Sequence, residues 1–176
     1  MESKKIYLRA LELDDYKVSV LWRNDPEILS MLCGQKYFVS EEAEKKWVLD
    51  ASHDKNVRLA VCTKKDNIYI GNVYLTDINL VNRSAQSHVL IGNKDYWGGG
   101  YGRDAVMLLL DYAFNELGLH RIEASIIDSN IASLKMHQHC GYVIEGIKRN
   151  SVFKGGRFHD QTILSILRSE FDNIEK

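Results

Sequence analysis

Apolar residues along this chain alternate with polar ones in some stretches and recur every third or fourth position in others, and the two rhythms take turns. Ile6 to Ala10 alternates as a strand does. Asp14 or Asp15 can cap a helix that runs to about Trp22, and Ser40, with Glu41 and Glu42 after it, opens another through Asp50. Arg58 to Thr63 and Tyr69 to Leu75 predict a hairpin around Lys64-Lys65-Asp66-Asn67, and Ala85 to Ile91 predicts a further strand after a polar loop. From near Asp104 the period changes: Val106, Leu109, Leu110, Ala113 and Leu117 share one helical face, and Gly118 is placed to end it. Arg121 to Ile127 reads as a strand, Asn130 to His139 as a short helix stopped near Gly141, and Val143 to Lys148 as another strand. The last strand, Phe158 to Leu167, follows a turn at Lys154-Gly155-Gly156-Arg157. The order is β, helices, β-β-β, α, β, α, β, β, an α/β (α+β) arrangement whose first half looks antiparallel.

Between the third and fourth of those blocks lies a glycine run, Trp97-Gly98-Gly99-Gly100-Tyr101-Gly102-Arg103. Glycine opens turn conformations closed to other residues, so successive N–H groups can converge on a phosphate, and the following helix adds the positive end of its dipole. A pyrophosphate is the natural guest. Gly100-Tyr101-Gly102-Arg103-Asp104-Ala105 formally satisfies GxGxxG/A, with Glu123 at the spacing of a ribose acid. A dinucleotide fold, however, places this fingerprint in its first βα unit with a parallel series after it, and here only one βα unit follows. No Gly-Lys-Ser/Thr is present, which excludes a P-loop.

Composition narrows the field further. A chain of 176 residues with a single proline, Pro26, and no linker or repeat is expected to fold as one domain over 1–176. Its formal net charge of -1, with scattered Lys and Arg, gives no footprint for nucleic acid or an anionic membrane. The start lacks a signal-peptide core, so a cytoplasmic protein is expected. Cys33, Cys62 and Cys140 form no CxxC pair, so neither a disulfide framework nor a metal site is expected. They read as reduced, mostly buried thiols, with Cys140 the one to consider as a nucleophile.

At this point the chain resembles the GCN5-related N-acetyltransferases (GNAT), and among them the branch of ribosomal-protein alanine acetyltransferases. Leu8-Arg9-Ala10-Leu11, Trp22-Arg23-Asn24-Asp25-Pro26-Glu27, Ile70-Gly71-Asn72, Trp97 to Ala105, and Asn130-Ile131-Ala132-Ser133 through Gly141-Tyr142 carry the resemblance. The family's Gln/Arg-x-x-Gly-x-Gly/Ala loop falls on Trp97, Gly98, Gly99, Gly100, Tyr101 and Gly102, with Trp97 in place of Gln or Arg. The resemblance implies a mixed, mostly antiparallel sheet of about seven strands, flanked by helices and splayed at the cofactor. It implies acetyl-CoA as acetyl donor, its pyrophosphate on the N–H groups of Gly98 to Arg103. The pantetheine would lie between the edges Val89-Leu90-Ile91 and Ile126-Ile127, with Asn130 and Ser133 beside it. By residue type alone, Asn130 and Ser133 serve equally as a helix cap and a first-turn hydroxyl.

Acetyl transfer to an amine needs a neutral amine, donors for the oxyanion and an acid for the thiolate. Where the family often places a Tyr, four positions beyond the helix Ser, this chain has His137, which can also give up a proton; His137 with His139 reads equally as plain surface histidine. Where the branch often has Glu on the strand before the glycine run, this chain has Gln86, which cannot act as a base. His88, on the same strand face, and Asp77, on the preceding loop, are the other base candidates. Freeing a lysine-like amine at neutral pH costs roughly 4 kcal/mol and an α-amine roughly 1 kcal/mol, so a weak base set favours an amine of low pKa. Met31 to Val39 holds no carboxylate for a polyamine, whereas Trp22, Arg23, Lys36 and Tyr37 offer stacking and anion contacts. The expected acceptor is a primary amine of a small molecule such as an amino sugar, or a protein N-terminus, served by a monomer or homodimer. The alternatives are polyamine acetylation, a catalytically idle acyl-CoA-binding module and a nucleotide-dependent oxidoreductase.

Overall fold

The computed structural model describes residues 1–34, 38–52 and 55–174. Its seven strands are β1 (Ile6–Ala10), β2 (Val57–Thr63), β3 (Tyr69–Asn79), β4 (Ser84–Ile91), β5 (Arg121–Ile127), β6 (Val143–Lys154) and β7 (Arg157–Leu167), in one sheet of order β1-β2-β3-β4-β5-β7-β6. All neighbours are antiparallel except β4 and β5, so the sheet is mixed and mostly antiparallel as expected. The helices are α1 (Tyr16–Arg23), α2 (Pro26–Ser30), α3 (Glu41–Leu49), α4 (Tyr101–Asp111), α5 (Ile131–His139) and α6 (Arg168–Phe171). No helix among the described residues is long and apolar enough to cross a membrane.

Several boundaries differ from the sequence reading, each for a local reason. Helix α4 begins at Tyr101, on the glycine run itself, because Gly100 takes the left-handed conformation (φ 80°) and serves as N-cap. It continues through a π-turn over Tyr112–Glu116, and Gly118 (φ 65°) ends it where expected. Asp77 lies within β3 and not on a loop. It has φ 53°, at an irregularity in the β3–β4 register that lets the strand continue to Asn79. Strand β6 runs past Lys148 to Lys154, forming a long hairpin arm with β7, and Gly155 and Gly156 (φ 59° and 81°) make its turn. Helix α2 was not expected. It is capped by the Asp25 carboxylate, which accepts from the N–H groups of Glu27 and Ile28, with Pro26 at its first position.

The expected apolar face of α4 packs on the sheet: Val106, Leu109, Leu110 and Ala113 are buried with Ile6, Ile70, Ile122 and Ile166, and Leu117 is partly covered. On the opposite face, α1 is fixed to β1 through Arg9, whose guanidinium pairs with both Asp15 carboxylate oxygens at 2.7 and 2.8 Å. Ser19 donates to the buried Glu44 of α3 at 2.6 Å, which joins α1 to α3.

Trp22 forms the second apolar cluster with Ile28 and Leu90, flanked by Leu32, Tyr69 and Trp97. An indole buries about 150–250 Å², so at ~25 cal/mol/Å² its contribution is of order 4–6 kcal/mol. The ring lies so close to Gly92 that a Cβ there would come within 1.9 Å of it. Gly92→Ala is therefore expected to destabilise the protein by about 1–3 kcal/mol through overpacking. Gly146→Ala, where a Cβ meets nothing within 4 Å, should leave stability nearly unchanged. Urea denaturation of the two variants checks this, and equal midpoints would contradict the packing described.

Candidate functional site

The site begins where two parallel strands stop pairing. β4 and β5 share three register pairs, Ser84–Arg121, Ala85–Ile122 and Gln86–Glu123, and then part. Ser87 stands at the fork: its hydroxyl donates to the Glu123 carbonyl at 3.0 Å and therefore receives the proton of the buried Tyr142 hydroxyl at 2.7 Å. Beyond it, Val89 to Ile91 remain paired to β3 alone, and Ile126 and Ile127 to β7 alone. The facing edges of both strands are thereby released.

One cavity, of about 500 Å³, opens from this gap toward the glycine run. Val89, Leu90, Ile91, Trp97, Gly98, Gly100, Tyr101, Gly102, Arg103, Asn130 and Ser133 all line it, so nearly the whole donor side expected from sequence converges. Gly99 faces away, its carbonyl accepting from Lys5 Nζ at 2.8 Å. The run is fixed to the strand it follows by Trp97, whose indole N–H donates to the Ile91 carbonyl at 2.7 Å. Lys94, just before it, pairs with Asp25 at 2.8 Å and Glu27 at 2.5 Å, tying the run to α2. The first N–H groups of α4 have no partner within the helix, and with Gly98 at φ 74° the chain presents a concave, Cβ-free rim. This rim fits a pyrophosphate. Asn130 caps α5, accepting from Ser133 N–H at 3.0 Å, while its amide donates to the Met31 carbonyl at 2.9 Å. Lys135, Met136 and His139 also line this cavity; their positions on α5 follow from helical periodicity, but their proximity to the glycine run does not.

A second cavity, of about 510 Å³, lies on the other side of the fork and shares Met31, Leu32, Val89, Asn130 and Ser133 with the first. Arg23, Gln86, His88 and His137, all expected as acceptor-side or catalytic residues, line it. Tyr74, Lys148 and Gln161 line it too and were not anticipated, since they come from three strands far apart in sequence. Lys154 closes the arm over this region by donating to the carbonyls of Leu29 and Leu32. Trp22, expected to stack on the acceptor, lies in the apolar cluster under Gly92 and off both walls, because burying its ring there satisfies it more fully. Lys36 and Tyr37 lie outside the described residues. Cys140 is fully buried and its thiol is pushed up to about 12 by burial, which leaves it protonated and unreactive.

His137 is 3% exposed, its ring edge-on to Tyr142, and so is not a surface histidine. Its Nδ1 lies 2.9 Å from the Ser133 carbonyl, an acceptor, which places a proton on Nδ1 and leaves Nε2 the basic nitrogen. His88 Nε2 lies 2.9 Å from Thr76 Oγ1, which in turn lies 3.3 Å from the Asp77 carboxylate. Asp77 is exposed and off the cavity wall, and reaches His88 through this hydroxyl. Burial lowers the pKa of both imidazoles. The nearby Asp77 partly opposes this at His88; at His137 the hydrogen bond to the Ser133 carbonyl partly opposes it and the neighbouring His88 reinforces it to a smaller extent.

A family model described as Acetyltransferase (GNAT) domain matches residues 5–143. The probable N-acetyltransferase YjcK of Bacillus subtilis is 31% identical over 180 residues, covering 97% of this chain and 98% of that protein. The spermidine N(1)-acetyltransferase of Vibrio cholerae is 30% identical over 171 residues, with 97% and 98% covered. The crystal structure of spermidine N-acetyltransferase from Vibrio cholerae in complex with CoA and spermine superposes with a TM-score of 0.89. It is 29% identical and covers 97% of this chain and 100% of that one.

Both cavity histidines are neutral at pH 7, which fixes a pH dependence. The unfolded chain takes up protons near pH 6.5 and the folded chain only below that, so acid favours unfolding. The stability these neutral rings contribute should be complete above pH ~6.5 and be lost as pH falls through their folded values. Nitrogen NMR of the histidine rings checks it: His137 should appear as the neutral Nδ1–H tautomer at pH 6.5, and a charged ring there would contradict the assignment.

Proposed function

The chain belongs to the GNAT acetyltransferases and is an acetyl-CoA-dependent acyltransferase, and we propose that it acetylates a primary amine of low pKa, an amino sugar or a protein N-terminus. The observation that carries this reading is the meeting of two cavities at the β4–β5 fork. One is bounded by the glycine rim, the other by two neutral imidazoles, and they share a wall at Val89 and Ser133.

In this reading Gly98 to Arg103 hold the pyrophosphate on backbone N–H groups and the released edges of β4 and β5 hold the pantetheine amides. Acetyl-CoA supplies the thioester carbonyl. Val89, Leu90, Ile91, Asn130 and Ser133 line its path, Asn130 mainly by shaping the first turn of α5. His137 accepts the amine proton at Nε2 and returns it at the departing sulfur, so one imidazole serves first as base and then as acid. His88 assists at the acceptor, with Asp77 acting on it through Thr76 as a positioning residue. Arg23 and Gln86 contact the acceptor. With no carboxylate on this wall among the described residues, an amine already neutral near pH 7 suits the site. The resemblance to the ribosomal-protein branch, given by the sequence motifs, is what favours a protein N-terminus as acceptor. A second reading, polyamine acetylation, is favoured by the names of the Vibrio cholerae relatives.

Thiol release from acetyl-CoA with amino sugars, Ala-initiated peptides and spermidine separates these readings; a clear preference for spermidine would overturn the low-pKa proposal. His137→Asn is expected to lower kcat by about 10²-fold or more while CoA still raises the thermal midpoint. Turnover absent in the unaltered protein with every amine, despite CoA stabilisation, would instead identify an idle binding module. Gly98→Ala, at φ 74° and with open space around its Cβ, should weaken CoA binding by about tenfold through backbone strain of ~1–2 kcal/mol.

A further inference from the structure

Among the described residues, the acceptor cavity carries two cations whose charge no carboxylate on its wall balances. Arg23 closes α1 and Lys148 comes from the β6 arm, two elements far apart in sequence that both contribute to the wall of this cavity. Neither side chain makes a hydrogen bond or ion pair with another described residue, and no Asp or Glu among the described residues lines the cavity. Elsewhere, guanidinium groups near the core are held by carboxylates, Arg9 by Asp15 and Arg121 by Glu123 and Glu145. The buried carboxylate of this region, Glu44, is occupied by Ser19 and is off the wall.

An unpartnered guanidinium in a partly enclosed site presents a planar fork of donors that matches a phosphate, and a lysine across the cavity adds a second point charge. Beside them, Gln86 and Gln161 offer neutral donors and acceptors, the kind of group that pairs with sugar hydroxyls. Resting on the proposed acetyltransferase activity, we infer that the acceptor is an amino sugar carrying a phosphate, with Arg23 and Lys148 as its anion subsite and the amine directed toward the two histidines. A polyamine would bring further positive charge to the same two cations.

The test compares acetylation of glucosamine, glucosamine 6-phosphate, UDP-glucosamine and spermidine, in the unaltered protein and in Arg23→Gln, Lys148→Gln and Arg23→Lys. The expected result is a kcat/KM at least about tenfold higher for a phosphorylated sugar than for glucosamine. That ratio should fall toward one in both glutamine variants and be partly kept in Arg23→Lys. Which phosphorylated sugar is preferred distinguishes a monophosphate from a nucleotide-linked acceptor. A ratio near one in the unaltered protein, a preference for spermidine, or a ratio unmoved by either glutamine variant would overturn the inference. If no amine is acetylated although CoA binds, the proposed activity fails, and calorimetric titration of the same sugars into the CoA-loaded protein tests the subsite alone. Binding of a phosphorylated sugar that weakens in both glutamine variants supports it. Absent binding, or equal binding by the variants, refutes it.

Discussion

The separation of β4 from β5 after three register pairs is the constraint on which the rest of the site depends. Backbone groups that lose their strand partner inside a protein must find another, in the protein, in water or in a ligand. Here Ser87 turns the break into a fixed fork. Its hydroxyl bonds the Glu123 carbonyl across the gap and is itself held by Tyr142, which stands just past the end of α5. The fork is thus tied to the helix that walls both cavities. Helix α4 can start on the glycine run at the end of one released edge because Trp97 fastens that run to the last carbonyl of β4. The sheet, α4 and α5 therefore define the donor groove together, and no single element could present it alone.

On the acceptor side, polarity is limited by burial. His137 lies under the fork against Tyr142, and its position relative to Ser133 selects one tautomer. An imidazole held neutral in this way keeps a lone pair at neutral pH, which a surface histidine would partly lose to a proton. Gln86 puts a neutral amide on the same wall as the two imidazoles, so among the described residues that line it the imidazoles are the ionisable groups able to take up a proton near neutral pH.

Much of this was legible in the sequence because it rests on periodicity and backbone conformation. The seven strands, the apolar face of α4, the capping Ser40 and Asn130, and the glycine rim all follow from residue type and spacing. Helix α2 escaped because five residues are too few for a helical period, although Asp25-Pro26 was a readable start signal. Asp77 reads as a loop residue in the sequence because a bulge breaks alternation without ending a strand. Trp22 shows a different limit: a large aromatic beside Arg23 fits stacking or packing equally well, and only the position of Gly92 decides it. Tyr74, Lys148 and Gln161 could not be gathered from one sequence, since their shared wall exists only once β3, β6 and β7 are in register with their neighbours.

The β6 arm has one more implication, for how such a protein diversifies. The glycine rim of the first cavity takes its shape from main-chain atoms, and side-chain replacement at its positive-φ glycines, Gly98 and Gly100, is costly. The wall of the second cavity takes its charge from Arg23 at the end of α1 and from Lys148 midway along β6, an exposed edge strand whose Lys148 lies outside the apolar core. Inherited substitutions there change the electrostatic character of one chamber and leave the other intact. Lineages that share this scaffold and its acyl donor can therefore drift apart in the amines they recognise without passing through an unfolded or donor-blind ancestor.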